Sequence, residues 1–219
     1  MLNKYLTLSL LFLTLCILAC KKDKSTDYAN VVFPHKLYVT GVTQKGTIRV
    51  YTANGEITDM ALKNKFIGKD STYFNLAYQP SDTSSMTFID RDTAMFSSST
   101  LKYAVTKNIT QFLFTSKFRS PLNKSDFIYN LLKYHDPAPA SINGAVIEGE
   151  VRVGYGDYNN LSFSRLSYKI VSSSSFQNVF QYKSSAGALF NEFNSSVITQ
   201  LKTNDTLAIQ EAAVVLKSR

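Results

Sequence analysis

Tryptophan is absent from these 219 residues, and cysteine occurs only at Cys16 and Cys20. Both cysteines precede the part of the chain patterned as a folded domain. No disulfide is therefore expected to staple that domain, and its stability has to come from packing. Histidine is nearly absent too, with only His35 and His135. There is no His-Glu-x-x-His pair, no cysteine cluster and no acidic loop of the EF-hand kind, so the usual metal sites are excluded and no cofactor is expected. No run of five or six like charges and no basic helix is present, which argues against nucleic acid as a partner despite a net charge of +8. Glycine (9) and proline (5) are few, whereas phenylalanine (15) and tyrosine (13) are plentiful and serine plus threonine make about a fifth of the chain. That balance suits half-buried strands. No internal repeat is found.

The one long apolar run is residues 6–19, LTLSLLFLTLCILA, preceded by Lys4. Fourteen residues are too few for a mature membrane span, which needs about 20. The run fits the core of a cleaved export signal, with the small Ala19 at the cut. Cys20 follows at once, and Ile17-Leu18-Ala19-Cys20 resembles the lipobox of bacterial lipoproteins. The resemblance implies removal of residues 1–19, lipid on the Cys20 sulfur, acylation of its new amine, and anchorage to a membrane through that lipid. Removal of Lys4 leaves 23 basic and 16 acidic residues, a net +7 on 200 residues. Lys21-Lys22-Asp23-Lys24 and the domain rich in Ser, Thr, Tyr and Asn look like the small lipoproteins of Bacteroidota. Their surface-export signal is an acidic run after the cysteine. The lysines here depart from it, so the expected place is the outer membrane with the domain facing the periplasm.

Residues 20–30 read as a flexible tether, and 31–219 as one all-β domain with a possible sub-boundary at 136–144, where two prolines and a glycine interrupt the pattern. Alternation predicts strands at 37–42, 48–52 and 56–58, the latter two joined by Asn54-Gly55 as a type I′ hairpin turn. A short helix is expected over 59–66 and a second after Ser125, where Phe127, Ile128, Leu131, Leu132 and Tyr134 recur at helical spacing. Further strands are expected at 71–78, 85–90, 93–96, 101–106, 109–118, 146–155, 161–171 and 176–182. The chain is expected to end in a hairpin of 197–201 and 207–216. Asn204-Asp205-Thr206-Leu207-Ala208-Ile209 resembles the last hairpin of lipocalin-like barrels. Eleven or twelve strands with turns every 8 to 12 residues predict an antiparallel meander. It would close into such a barrel or fold as a two-sheet sandwich.

Candidate chemistry is sparse. His135-Asp136 is no dyad by spacing, since strand neighbours point to opposite faces. Glu148 and Glu150 share a face with Arg152, opposite Ile147, Gly149, Val151 and Val153. This reads as the solvated side of an amphipathic strand, although paired carboxylates across a cleft are the equipment of glycoside hydrolysis. Phe112, Phe114 and Phe118, interleaved with Lys117 and Arg119, read as core. No catalytic residue is assigned. The expectation is a non-enzymatic binding or accessory lipoprotein, taking a small apolar ligand or an envelope protein. The alternatives are a glycan- or peptidoglycan-acting enzyme, which would need Glu148, Glu150 or Asp157 to meet another carboxylate in a cleft, and a structural subunit of a surface assembly. The Bacteroidota resemblance further implies O-glycosylation at Asp-Ser/Thr sites, which would place sugar on Ser71, Thr93 and Thr206.

Overall fold

The computed structural model describes residues 31–74, 84–97, 99–121, 127–176 and 179–219. The expected lipid site Cys20, its tether and the turn at 79–82 lie outside them. Twelve antiparallel strands dominate. They are β1 (His35–Gln44), β2 (Arg49–Thr52), β3 (Gly55–Ile57), β4 (Ser85–Phe88), β5 (Thr93–Phe96), β6 (Lys102–Asn108), β7 (Gln111–Pro121), β8 (Ala140–Ile142), β9 (Ala145–Gly156), β10 (Asn160–Phe176), β11 (Val179–Leu189) and β12 (Thr206–Lys217). Among the described residues, helix is limited to α1 (Met60–Ile67), α2 (Ser71–Phe74), α3 (Phe127–Leu131) and two 3₁₀ segments, Gly68–Asp70 and Ser195–Gln200.

Eight strands form a closed barrel in the order β1-β4-β5-β6-β7-β9-β10-β12, and β12 pairs back to β1 from Val39↔Leu216 to Gln44↔Ala212. The meander barrel is thus the fold, and the sandwich alternative falls. Closure leaves no free edge around the ring. The inward face is apolar and aromatic. Phe88, Phe112, Phe114, Phe163, Leu37, Met86 and Leu161 are almost wholly buried. The rings meet across the barrel: Phe96 lies 5.4 Å from Phe163, and Phe114 lies 5.1 Å from Phe163. One end is closed by Tyr158, whose ring centroid lies 4.8 Å from Phe88, 5.3 Å from Phe112 and 5.6 Å from Phe33.

Beyond the barrel, β10 and β12 stay paired as far as Val171↔Thr206. There β11 adds to β10 and β2-β3 to β12, which makes a splayed five-stranded sheet, β3-β2-β12-β10-β11. Both faces of this sheet are covered. Leu131, Val197 and Leu201 pack with Tyr51, Leu166, Tyr168, Ile170, Leu207 and Ile209 on one side. Ile67 and Phe74 pack with Val50 and Ala208 on the other. The second face is continuous with the barrel interior, so α1 and α2 stand over the open end. The Lys169 ammonium fixes them there, donating to the carbonyls of Phe66 and Ile67 and pairing with Asp70 at 2.9 Å.

Several local expectations are corrected. Residues 71–74 are helix, not the start of a strand. Residues 195–200 are 3₁₀ helix capped by Asn194, so β12 has no hairpin partner before it and pairs instead with β1, β2 and β10. The β2-β3 hairpin is present, but only Gly55 of its turn pair takes a positive φ (111°), which is not the type I′ geometry. The helix expected over 59–66 is present as Met60–Ile67 and is capped by the Asp59 carboxylate, which accepts from the amides of Ala61 and Leu62. Residues 136–144 lead into the β8-β9 hairpin, which turns at Asn143-Gly144 with φ of 50° and 79°.

Candidate functional site

The wall built by β9 and the end of β11 has a recess on each side. Only three residue pairs join β9 to β10, Leu161↔Gly156 to Phe163↔Gly154, before the two strands diverge. The opening is filled by residues 190–192, which follow β11. The amide of Val153 donates to the carbonyl of Phe190 at 3.0 Å. Asn191, 1% exposed, clamps three segments, donating to the carbonyls of Tyr134 and Val151 and accepting from the amide of Tyr134.

The inner recess lies at the open end of the barrel and measures about 290 Å³. Val39, Phe96, Phe163, Phe190, Val214 and Leu216 form its apolar walls, and Arg152, Arg165, Ser84 and Ser97 bring polar groups. Arg152 is the unexpected member. Its side chain is only 12% exposed, with Nε donating to Glu150 Oε1 at 2.8 Å. Its guanidinium lies over three rings, 4.3 Å from Phe96, 4.9 Å from Tyr103 and 5.2 Å from Phe190. Such stacking offsets part of the cost of taking the guanidinium out of water. Burial raises the pKa of the Tyr103 phenol, with Arg152 acting against the rise and Glu150 adding to it. The phenol therefore stays protonated and donates to Glu150 Oε2 at 3.3 Å.

The outer recess, about 240 Å³, lies between the α3 segment and the other face of β9. It joins Glu148, Asp136, His135 and Tyr129. The Tyr129 ring stacks on His135 at 4.0 Å, and its hydroxyl donates to Glu148 Oε1 at 3.2 Å. Burial first, then the Glu148 charge, raises the Tyr129 pKa. The Asp136 carboxylate is engaged structurally by the amides of Gly149 and Ala138, both at 2.9 Å, and by Arg119 at 3.4 Å.

Beside this recess Glu192 accepts from the Tyr155 hydroxyl at 2.6 Å, Ser164 at 3.3 Å and Lys133 at 2.8 Å. Burial works to raise the Glu192 pKa. The bonds from Lys133 and Tyr155 and the charges of Lys133 and Lys45 outweigh it, leaving the carboxyl below its ordinary value. Burial and the bond to Glu192 push the Tyr155 phenol well up.

The solvated-face reading of Glu148, Glu150 and Arg152 is therefore wrong for two of the three. Glu150 is half exposed, but Glu148 is 3% exposed and Arg152 enters the barrel. Arg152 faces inward because it pairs with the core residue Phe114, and beyond it β7 carries a bulge, where Thr115 pairs with Val151 but Arg119 with Gly149. Gly149 is needed there, since a Cβ would lie 2.2 Å from the Ser116 carbonyl oxygen. Alternation alone carried no sign of the bulge, and it did not reveal that α3 and residues 190–193 cover the outer face of β9. Phe112 and Phe114 are core as expected, whereas Phe118 is 65% exposed. Asp157 is occupied in the β9-β10 turn, accepting from the amides of Asn159 and Asn160. Of the expected glycan positions, Ser71 is exposed at the start of α2 and Thr206 half-buried at the start of β12. Thr93 is 9% exposed, and its Oγ1 accepts from Lys117 at 3.4 Å.

An eight-stranded antiparallel barrel with an aromatic interior, one sealed end and a recess at the other defines the class of this protein. No protein-family model matches the chain, and no curated protein or solved structure is significantly similar to it.

Proposed function

We propose that this chain is a lipid-anchored envelope lipoprotein whose barrel binds a small, mainly apolar ligand in the inner recess. The observation that carries the reading is the recess itself: aromatic and aliphatic walls with Arg152 and two serines, at the open end of an otherwise filled barrel. Apolar walls with a few convergent polar groups are the usual form of a ligand site. At about 290 Å³ it is near the small end of such sites, so the ligand is of few rings or a short chain. The buried guanidinium suits an acidic group on it. The anchor rests on the lipobox and Cys20, and the outer membrane with a periplasmic domain on the basic residues that follow. If the domain is glycosylated, Ser71 and Thr206 are the accessible acceptors, because sugar on Thr93 would require the barrel wall to open.

Titration with 1-anilinonaphthalene-8-sulfonate, an apolar ring system bearing one anion, tests the recess. Saturable fluorescence is expected for the wild type. It should be lost on Ser97→Trp, which fills the recess, with an unchanged circular dichroism spectrum. Binding that survives Ser97→Trp overturns the assignment. Cys20→Ala should move the protein from the membrane fraction to the soluble one, and an unchanged membrane pool would overturn the anchor.

The enzymatic reading has one observation in its favour, the meeting of Glu148 and Asp136 in the outer recess. Asp136 is held by an arginine and two backbone amides there, which is a structural role. Hydrolysis of peptidoglycan fragments that is abolished by Glu148→Gln would restore the enzyme.

A further inference from the structure

We infer that the sealed end of the barrel docks on the lipid bilayer, with the tips of the β6-β7 and β4-β5 turns and the segment before β1 in contact with the membrane. The inference rests on the lipid anchor at Cys20 and adds an orientation to it. Three of the exposed large apolar side chains gather at this end. Ile109 at the β6-β7 tip is 83% exposed, Val32 before β1 is 80% exposed, and Ile89 at the β4-β5 turn is 37% exposed. They belong to one surface, because Tyr158 links the segments that bear them. Its ring packs on Phe33, and its hydroxyl donates to the Arg91 carbonyl at 3.4 Å. Gly156, two residues earlier, donates to the Thr110 carbonyl at 2.7 Å.

Ile109 is costly where it stands. It holds φ at 51°, a conformation that β-branched residues avoid and that Asn or Gly would adopt freely. Folding gains nothing from an exposed isoleucine at this position, whereas a bilayer surface would bury it. Around the tips stand Lys36, Arg91, Lys107, Lys217 and Arg219, against Asp90, Asp92 and Asp157. The small positive excess adds its attraction for an anionic lipid surface to that of the apolar tips.

Chain length favours the sealed end, because a flexible tether of this length spans on average only roughly 20 Å. The eleven residues 20–30 reach at most about 40 Å even if fully extended. They join the fold next to Val32, at the sealed end. β12 alone is 12 residues long, so the opposite end stands roughly 30 Å further away once strand tilt is counted. Met60, Leu62 and Tyr73 are exposed at that far end. They are the competing docking surface, and the tether disfavours them.

The test uses the full lipidated chain in vesicles of phosphatidylethanolamine and phosphatidylglycerol. With Cys20 acylated and Cys16 removed, Ile109→Cys and Ile142→Cys each provide a single thiol for an environment-sensitive dye. The dye at 109 should shift to the blue and be quenched several-fold more by bilayer spin labels than the dye at 142. Val32→Asp should weaken the quenching at 109. A dye at 109 that stays aqueous on vesicle-bound protein overturns the docking and leaves the anchor standing. Stronger quenching at Met60→Cys than at 109 overturns it in favour of the far end. Protein that fails to float with the vesicles overturns the anchor and the docking together.

Discussion

The barrel and the splayed sheet above it share the strands β10 and β12, yet they bury them differently. In the barrel one face looks inward, and the pattern alternates wherever the other face meets water, as in β6 with Tyr103 and Val105 buried between exposed or half-exposed neighbours. In the splayed sheet both faces are covered, by α3 and a 3₁₀ segment on one side and by α1 and α2 on the other. β12 accordingly reads Leu207-Ala208-Ile209-Gln210 with all four residues buried. A strand covered on both faces therefore loses the two-residue period that a ring-wall strand such as β6 keeps.

Breaking either region should show whether they unfold together. Phe114→Ala, in the barrel centre, is expected to cost about 3–5 kcal/mol, and Leu207→Ala, in the splayed sheet, about 2–5 kcal/mol. Because β10 and β12 run through both regions, urea unfolding followed by far-ultraviolet dichroism and by tyrosine fluorescence should give one coincident transition in each variant. Two separated transitions would show that the regions are independent.

Lys169→Met sharpens the comparison by releasing only the α1–α2 cover. Loss of its charged hydrogen bonds to Phe66, Ile67 and Asp70 should cost about 1.5–3 kcal/mol, and faster amide exchange should be confined to residues 60–74. Exchange that rises around the barrel as well would contradict that separation. Asp59→Ala removes the α1 cap and should cost about 1 kcal/mol, read from the same exchange map.

The smallest effect is expected from pH, at the seam between the regions. Glu192 has its folded pKa below the ordinary 4.5. Its stabilisation is therefore present above pH 4.5 and is lost as pH falls through the folded value. Glu192→Gln should flatten the stability profile below pH 4.5 relative to the wild type, and an unchanged slope would show that Lys133 and Tyr155 do not hold the carboxylate as described.

Much of this architecture was legible in the sequence. Alternation and turn residues placed most barrel strands, because each is a local two-residue period bounded by Asp, Asn or Gly. The short helix over 59–66 was expected, but its Asp59 cap was seen only in the structure. What else escaped was non-local. Ser71-Thr72-Tyr73-Phe74 alternates like a strand, yet forms the last turn over the barrel mouth. Val197 and Ile198 have high strand propensity, but the Asn194 cap and the cover they give to Leu207 and Ile209 turn them into 3₁₀ helix. The inner recess was least legible. Arg152 lies in a strand whose polar residues look solvent-facing, and only its pairing with Phe114 and the rings of Phe96, Tyr103 and Phe190 explain its direction. Those partners are 38 to 56 residues away in the chain.

The pairing of β12 with β1, β2 and β10 also sets a schedule for making the protein. A chain is synthesised from its N-terminus, so β1 is made first and its closing partner last, with Val39 waiting for Leu216. Until β12 has been made, neither the ring nor the splayed sheet can form, and the edges of β1 and β10 stand open to other chains. Contacts spanning nearly the whole sequence make such closure slow. The interval between synthesis of β1 and closure by β12 is when this chain is most exposed to pairing with other chains.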